Sequence, residues 1–233
     1  MEKSELERYR RVQSLARSAL EELRPFITQD VSELDIARRA GELLASRGIH
    51  EAWYHGLPAL VLAGPRTLLS VSGEHYRPSK EKVGRTNLIT IDLSPLQNGF
   101  WGDCARTLVI ESGRVTIHPH RPDFKQGLEA ARSLHREMRG FVGPETTFHE
   151  LHAFSDDLIR SQGFRNLDFK GNLGHSIEKL PEDRIYVEKG NHGRLMDAGL
   201  FTFEPHIALD GGSWGFKHEN IYYFNEQGKL EEL

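Results

Sequence analysis

The 233-residue chain has a single cysteine, Cys104, so an internal disulfide is excluded and a reducing cytoplasm is the default expectation. It has no excess of positive charge. Its 30 Lys+Arg against 34 Asp+Glu give a net charge of -4, which leaves no basic footprint for a nucleic-acid backbone. No apolar run approaches the roughly 20 residues of a bilayer span. The N-terminal Met1-Glu2-Lys3-Ser4-Glu5-Leu6-Glu7 lacks the apolar stretch of a signal peptide. Neither a G-x-S-x-G serine elbow nor a Walker phosphate loop occurs. Linkers rich in Pro, Gly or Ser are missing too, so residues 1–233 are expected to form one domain. What is present is an ordinary globular balance, 38% hydrophobic and 27% charged. Twelve histidines favour metal or acid–base chemistry.

The hydrophobic pattern runs twice through the same order. Leu6, Tyr9, Val12, Leu15, Ala16, Ala19, Leu20 and Leu23 recur at helical steps, and Pro25 ends that helix. A second helix is predicted from an N-cap at Ser32, with Asp35 three residues on, to Gly48. Short β-prone runs follow at 60–62, 68–71, 88–91 and 105–110. The second half repeats the plan, with helices over Pro122–Phe141 and from Thr147 to Gly163, then strands at 201–204 and 221–224. The expected fold is α+β with antiparallel strands, in two pseudosymmetric helix–helix–sheet halves of about residues 1–115 and 116–233.

Two hairpins carry acidic residues whose spacing has a physical consequence. If Asn98-Gly99 forms a two-residue turn, Asp92 faces Ala105 and Asp103 is its diagonal neighbour on the same face. If Gly211-Gly212 forms the turn of the second hairpin, Glu204 faces Glu219, with Phe201 and Phe203 turned to the opposite face. Like charges directly opposite destabilise a strand pair, and burial sharpens the conflict. A divalent cation between them removes it. His175, in Gly171-Asn172-Leu173-Gly174-His175-Ser176-Ile177, is the fifth candidate. Four carboxylates and one imidazole suit Mn²⁺, Fe²⁺, Co²⁺ or Zn²⁺, and the four negative charges suit two such ions. The other histidines carry less. His149 and His152 flank Glu150 at a spacing of three rather than the zincin four, His118 and His120 read as an exposed loop, and His135 reads as a polar helix position. Cys104 reads as a small buried residue.

The order Asp92, Asp103, His175, Glu204, Glu219 resembles the M24 metallopeptidase family of methionine aminopeptidases, Xaa-Pro peptidases and creatinases, with its pita-bread fold built on a curved antiparallel sheet. Ile91-Asp92 to Gly102-Asp103-Cys104-Ala105-Arg106-Thr107 is similar to the family's I-D-x…G-D-x-x-R-T. Gly174-His175-Ser176-Ile177 is similar to G-H-[GS]-[IF], and Phe201-Thr202-Phe203-Glu204-Pro205 to F-T-x-E-P. The resemblance implies that Asp92 chelates one metal, that Asp103 and Glu219 bridge two, and that His175 and Glu204 complete the second. It implies Glu204 as a proton shuttle. His75, in a stretch like the H-Y-x-P-S of the proline-peptidase branch, is implied as an active-site histidine that contacts the reacting amide. Tyr54 and His55, in Tyr54-His55-Gly56-Leu57-Pro58, resemble a methionine-aminopeptidase segment near the substrate pocket.

The implied activity is hydrolysis at the N-terminal residue of a peptide or dipeptide-like substrate, by an enzyme with two divalent cations, a homodimer being one open arrangement. Four departures stand against it. Glu182 occupies the position seven residues after His175 where many members have a second histidine, leaving Tyr186 or His192 to replace it. His206 follows Pro205 where glycine is common, and the Glu204–Glu219 loop is short. The separate N-terminal domain of prolidases and creatinases has no counterpart here, which weakens a strict Xaa-Pro assignment. Two alternatives follow: a creatinase-like hydrolase of a small C–N bond working without metal, and a pita-bread protein that binds without catalysis.

Overall fold

Side-chain caps set where the helices begin. In the computed structural model, which describes residues 2–233, α1 (Lys3–Phe26) buries Tyr9, Val12, Ala16, Leu20 and Leu23 along one stripe. Pro25 sits inside its last turn rather than beyond its end. Ser32 and Asp35 form a reciprocal capping box that starts α2 (Glu33–Ala45). The strands β1 (Glu51–Ala52), β2 (Ala59–Ala63), β3 (Asn87–Leu93), β4 (Pro95–Gln97), β5 (Phe100–Trp101), β6 (Cys104–Glu111) and β7 (Arg114–Thr116) follow. The second half repeats this with α3 (Pro122–Phe141) and α4 (Phe148–Ser161), the latter started by a Thr147–Glu150 capping box. It then runs through β8 (Phe164–Asn166), β9 (Leu200–Phe203), β10 (His206–Leu209), β11 (Gly215–Lys217), β12 (Asn220–Phe224) and β13 (Leu230–Glu232).

All strand pairs are antiparallel, in the orders β2-β3-β6-β7, β13-β12-β9, β11-β10-β8 and β1-β4-β5. The fold is thus the expected α+β arrangement. One core cluster joins α1 and α2 to β2, β3 and β6 through Val12, Leu23, Ile36, Ile89 and Ile91. A second joins α3 and α4 to the later strands through Phe124, Leu134, Phe148, Phe201 and Phe203. A third, with Tyr9, Trp101, Ile177, Ile221 and Tyr223, draws from both halves. Among the described residues no helix is long and apolar enough to cross a membrane.

Two expectations need correction. The run at 68–71 is no strand: Gly64–Leu68 forms a 3₁₀ turn, and its backbone is used in tertiary contacts instead. Thr67 O accepts from His206 Nε2 at 2.7 Å, and Thr67 Oγ1 accepts from Gly215 N–H at 2.9 Å. His135 is buried, not a polar surface position. One ring nitrogen meets Tyr222 OH at 2.8 Å and the other meets His218 O at 3.0 Å.

A buried carboxylate holds the first half together behind the site. Glu33, at the start of α2, is 1% exposed and accepts from Ala63 N–H at 2.8 Å, Ser79 N–H at 2.7 Å and Arg66 Nε at 2.9 Å. Truncation orphans two half-buried donors and a guanidinium. Glu33→Ala is expected to cost about 3 kcal/mol or more, read as a lower urea midpoint with an unchanged m-value.

Candidate metal centre

Strand register delivers four of the acidic side chains. Asp92 lies opposite Ala105 across β3 and β6, with Asp103 just before β6. The turn at Asn98-Gly99 pairs Gln97 with Phe100 in the same register. In the second half His206 faces Lys217 and Phe203 faces Asn220, the register expected from Gly211-Gly212. Glu204 and Glu219 fall in the gap between these pairs. The ladder breaks there because Pro205 has no N–H to give, and Glu219 N–H donates to Ala105 O at 3.0 Å instead.

Residues of both halves lace this junction. Thr107 Oγ1 donates to Lys217 O at 3.0 Å and accepts from Lys217 N–H at 2.8 Å. Arg106 donates to Glu219 O at 2.5 Å and to Asn220 Oδ1 at 2.6 Å. The buried Gln13 of α1 clamps the Asp103 backbone, donating to its carbonyl at 2.7 Å and accepting from its N–H at 2.9 Å. His175 reaches the same place on an irregular segment. Its N–H donates to Thr202 Oγ1 at 2.9 Å, and its carbonyl accepts from Thr202 N–H at 2.7 Å. Gly174 is needed there, since a Cβ would lie 2.2 Å from Thr202 O.

The tautomer of His175 is readable from its partner. Nδ1 lies 2.8 Å from Ser176 O, and a carbonyl only accepts, so Nδ1 carries the proton. Nε2 then points at Asp103 Oδ2, 3.4 Å away, and Glu204 Oε1, 3.6 Å away. A lone pair aimed at two carboxylates is repelled unless a cation or a proton lies between them. Asp103, His175 and Glu219 are buried, and one ligand atom from each lies within 4.8 Å of the others. Both Glu219 oxygens are buried without a hydrogen-bond partner. Burial, with Asp103 and Glu204 nearby, holds the Glu219 carboxyl well above the usual range. Burial also pushes Asp103 up to about 6, against the pull of His175. These unmet acceptors and the oriented imidazole fit a divalent cation.

Asp92 and Glu204 have a different neighbour. Lys217 Nζ lies 2.6 Å from Asp92 Oδ2, 2.9 Å from Glu204 Oε2 and 3.7 Å from Glu219 Oε2. Burial works to raise Glu204, but Lys217 and His175 outweigh it and hold its carboxyl low. Lys217 has a readable signal. It lies two residues before Glu219, the spacing that shares a strand face.

The site opens into a cavity of about 270 Å³ whose lining includes Asp92, Asp103, His175, Glu204 and Lys217. Tyr54 and His55 line it as well. His75 does not, being exposed in the turn after Ser72, whose carbonyl accepts its N–H at 2.9 Å. The buried member of that stretch is Tyr76, whose hydroxyl donates to Val61 O and accepts from Val61 N–H. Of the residues considered for the missing second histidine, Tyr186 lines the cavity and makes a bridge to His175, while Glu182 is exposed. His192 lies outside it, its ring 5.0 Å from that of His149. Arg184 is an addition that no sequence pattern marks. Its guanidinium carbon lies 5.0 Å from the Trp53 ring centroid and 5.6 Å from that of Tyr186.

The chain is 25% identical over 222 residues to methionine aminopeptidase A of Synechocystis sp., covering 92% of this chain and 81% of that protein. It is 25% identical over 191 residues to the Xaa-Pro dipeptidase of Lactobacillus helveticus, covering 79% of this chain and 46% of the relative. It therefore spans about half the length of the Xaa-Pro dipeptidases it matches. Its fold superimposes on an X-Pro aminopeptidase from Thermotoga maritima with a TM-score of 0.82 at 21% identity, over 100% of this chain and 61% of that one. The prolidase from Pyrococcus furiosus gives 0.81 at 20% identity, over 99% and 64%. The profile of metallopeptidase family M24 matches residues 7–226, and the chain belongs to that family.

Proposed function

We propose that this protein is a metal-dependent hydrolase that acts at the N-terminal residue of a peptide or on a dipeptide-like substrate. One observation carries the reading: the buried triad of Asp103, His175 and Glu219, with both Glu219 oxygens unpartnered, beside an open cavity. Asp92, Asp103, His175, Glu204 and Glu219 are the proposed ligands, for Mn²⁺, Co²⁺, Fe²⁺ or Zn²⁺, with up to two ions by charge. A bound cation supplies Lewis acidity, lowering the pKa of a water and polarising the scissile carbonyl.

The chain's own groups do the rest. Glu204 accepts the proton of the attacking water and passes it to the leaving amine, its Oε2 oxygen steadied by Lys217. The acidic floor attracts a substrate amine. Arg184 and Lys170 line the same cavity and would balance a carboxylate at the far end of a short substrate. Of the two histidines considered, the cavity lining favours His55 over His75 for contact with the reacting amide, with Tyr54 packed edge-on against His55. The proposal places the protein as one catalytic unit of residues 1–233 in a reducing cytoplasm, with self-association left to measurement.

The test is hydrolysis of Met-, Ala- and Xaa-Pro peptides by the protein loaded with Mn²⁺ or Co²⁺, with a chelator control. Turnover lost on chelation and restored by metal supports the reading. Turnover that survives chelation replaces it with the creatinase-like alternative. Absence of turnover on every peptide in a protein that holds metal replaces it with the binding alternative.

A further inference from the structure

The donor atoms of this centre fall into two unequal groups. Asp103, His175 and Glu219 face one another, and both Glu219 oxygens lack a hydrogen-bond partner. Asp92 and Glu204 instead close on Lys217 Nζ at 2.6 and 2.9 Å. The ammonium is not a stray surface group. Its residue is fixed at both backbone atoms by Thr107 Oγ1 and paired with His206 across β10 and β11. Its side chain is 17% exposed.

Charge bears on how many further cations fit. The four carboxylates bring four negative charges. One divalent cation with Lys217 leaves a single negative charge. Two divalent cations with Lys217 leave a positive one, with an ammonium a few ångströms from a dication. In a partly buried site, where solvent screens charges weakly, that repulsion opposes a second cation. Distances point the same way. Nζ lies 2.6 Å from Asp92 Oδ2, and a metal–carboxylate bond runs at about 2.0–2.2 Å, so a cation bound to that oxygen competes with Nζ for its place.

We propose that the centre takes one divalent cation tightly, at Asp103, His175 and Glu219, and that Lys217 Nζ stands in the second position, so that a second cation enters only by displacing it. This rests on the metal-dependent reading of the same site. It makes the two positions unequal by construction, with the Asp92 side held by the chain's own cation until that cation is displaced.

Manganese counting on the full chain tests it without reference to turnover. Isothermal titration and metal analysis after desalting are expected to give one tight equivalent of Mn²⁺. A second is expected to bind at least roughly 100-fold more weakly. At one equivalent the paramagnetic resonance spectrum is that of isolated Mn²⁺, with no exchange coupling. Lys217→Met is expected to take two equivalents with affinities within about tenfold of each other, while Lys217→Arg, which keeps the charge, stays at one. If Lys217→Met does not fold, the count and spectrum of the parent protein still decide. Two equivalents of like affinity in the parent, a coupled spectrum at low loading, or a folded Lys217→Met that still takes one would each overturn the inference while leaving the hydrolase reading intact. A parent protein that holds none of Mn²⁺, Co²⁺, Fe²⁺ and Zn²⁺ would overturn both.

Discussion

Replacing Glu219 by glutamine is expected to stabilise the metal-free protein and to abolish its turnover. The two effects have one origin. Glu219 is fully buried, its oxygens have no hydrogen-bond partner, and Asp103 and Glu204 are close. The nearest positive group, Lys217 Nζ, is 3.7 Å away and already committed to Asp92 and Glu204. Without metal, this carboxylate is a cost to the fold. An amide of the same shape removes the charge and offers an N–H₂ to the neighbouring carboxylates, a gain of about 1–3 kcal/mol. With metal, the same change deletes a charged ligand. Turnover is expected to fall about 10²–10³-fold or more, the scale for losing one well-placed electrostatic group at a reacting centre. Asp92→Asn should differ in sign on the stability side, because it breaks the shortest of Lys217's ion pairs and leaves it Glu204 and the more distant Glu219. Urea unfolding with chelator present, beside kcat/KM of the loaded proteins, reads both quantities. A Glu219→Gln protein less stable than its parent without metal would show that the acidic cluster is not strained.

These acidic positions were legible in the sequence because period and turn chemistry specify them together. Asn98-Gly99 and Gly211-Gly212 set the registers, and with them which carboxylates share a face. His175 had no such rule. It sits on an irregular segment whose path is set by Thr202 and by the close approach at Gly174, so its Gly-rich surroundings made it a candidate and motif resemblance gave it a role. Tertiary contacts explain the remaining differences. Leu68–Val71 has strand composition, but Thr67 spends its backbone and hydroxyl on His206 and Gly215. His135 lies among the apolar positions of α3, where Tyr222 and His218 satisfy both of its nitrogens. In the stretch from Ser72 to Ser79, the side chain that anchors the turn is Tyr76, which leaves His75 in solvent. Lys217 was readable from its spacing to Glu219, but attention to metal ligands alone passes over a cation supplied by the chain.

Those buried histidines give the protein an expected acid limit that is separate from its metal. Burial, helped by Arg106 and Arg139, pushes His135 down to about 3. Burial with Lys217 nearby pushes His206 down to about 4. Burial, His135 and three arginines push His218 down to about 2. Each is neutral in the fold, whereas an unfolded histidine takes a proton near pH 6.5. With the folded values below the unfolded one, the stability these rings allow is complete above about pH 6.5 and is lost as pH falls towards 4 and below. Three such groups give a slope of up to roughly 4 kcal/mol per pH unit, large against a total of about 5–15. In metal-free protein Asp103 works the other way. Its raised value lets the fold take up a proton near pH 6, which relieves part of the crowding at the centre. A difference between variants separates the two. His135→Gln keeps a neutral side chain able to reach Tyr222 or His218 and removes one proton-linked group. Its unfolding free energy between about pH 6.5 and 5.5 should fall less than the parent's, by about 1 kcal/mol over that unit. Urea titrations at stepped pH give that slope directly. Equal slopes in the two proteins would mean that His135 is not held neutral in the fold, and that solvent reaches the Tyr222–His218 pocket when the ring takes its charge.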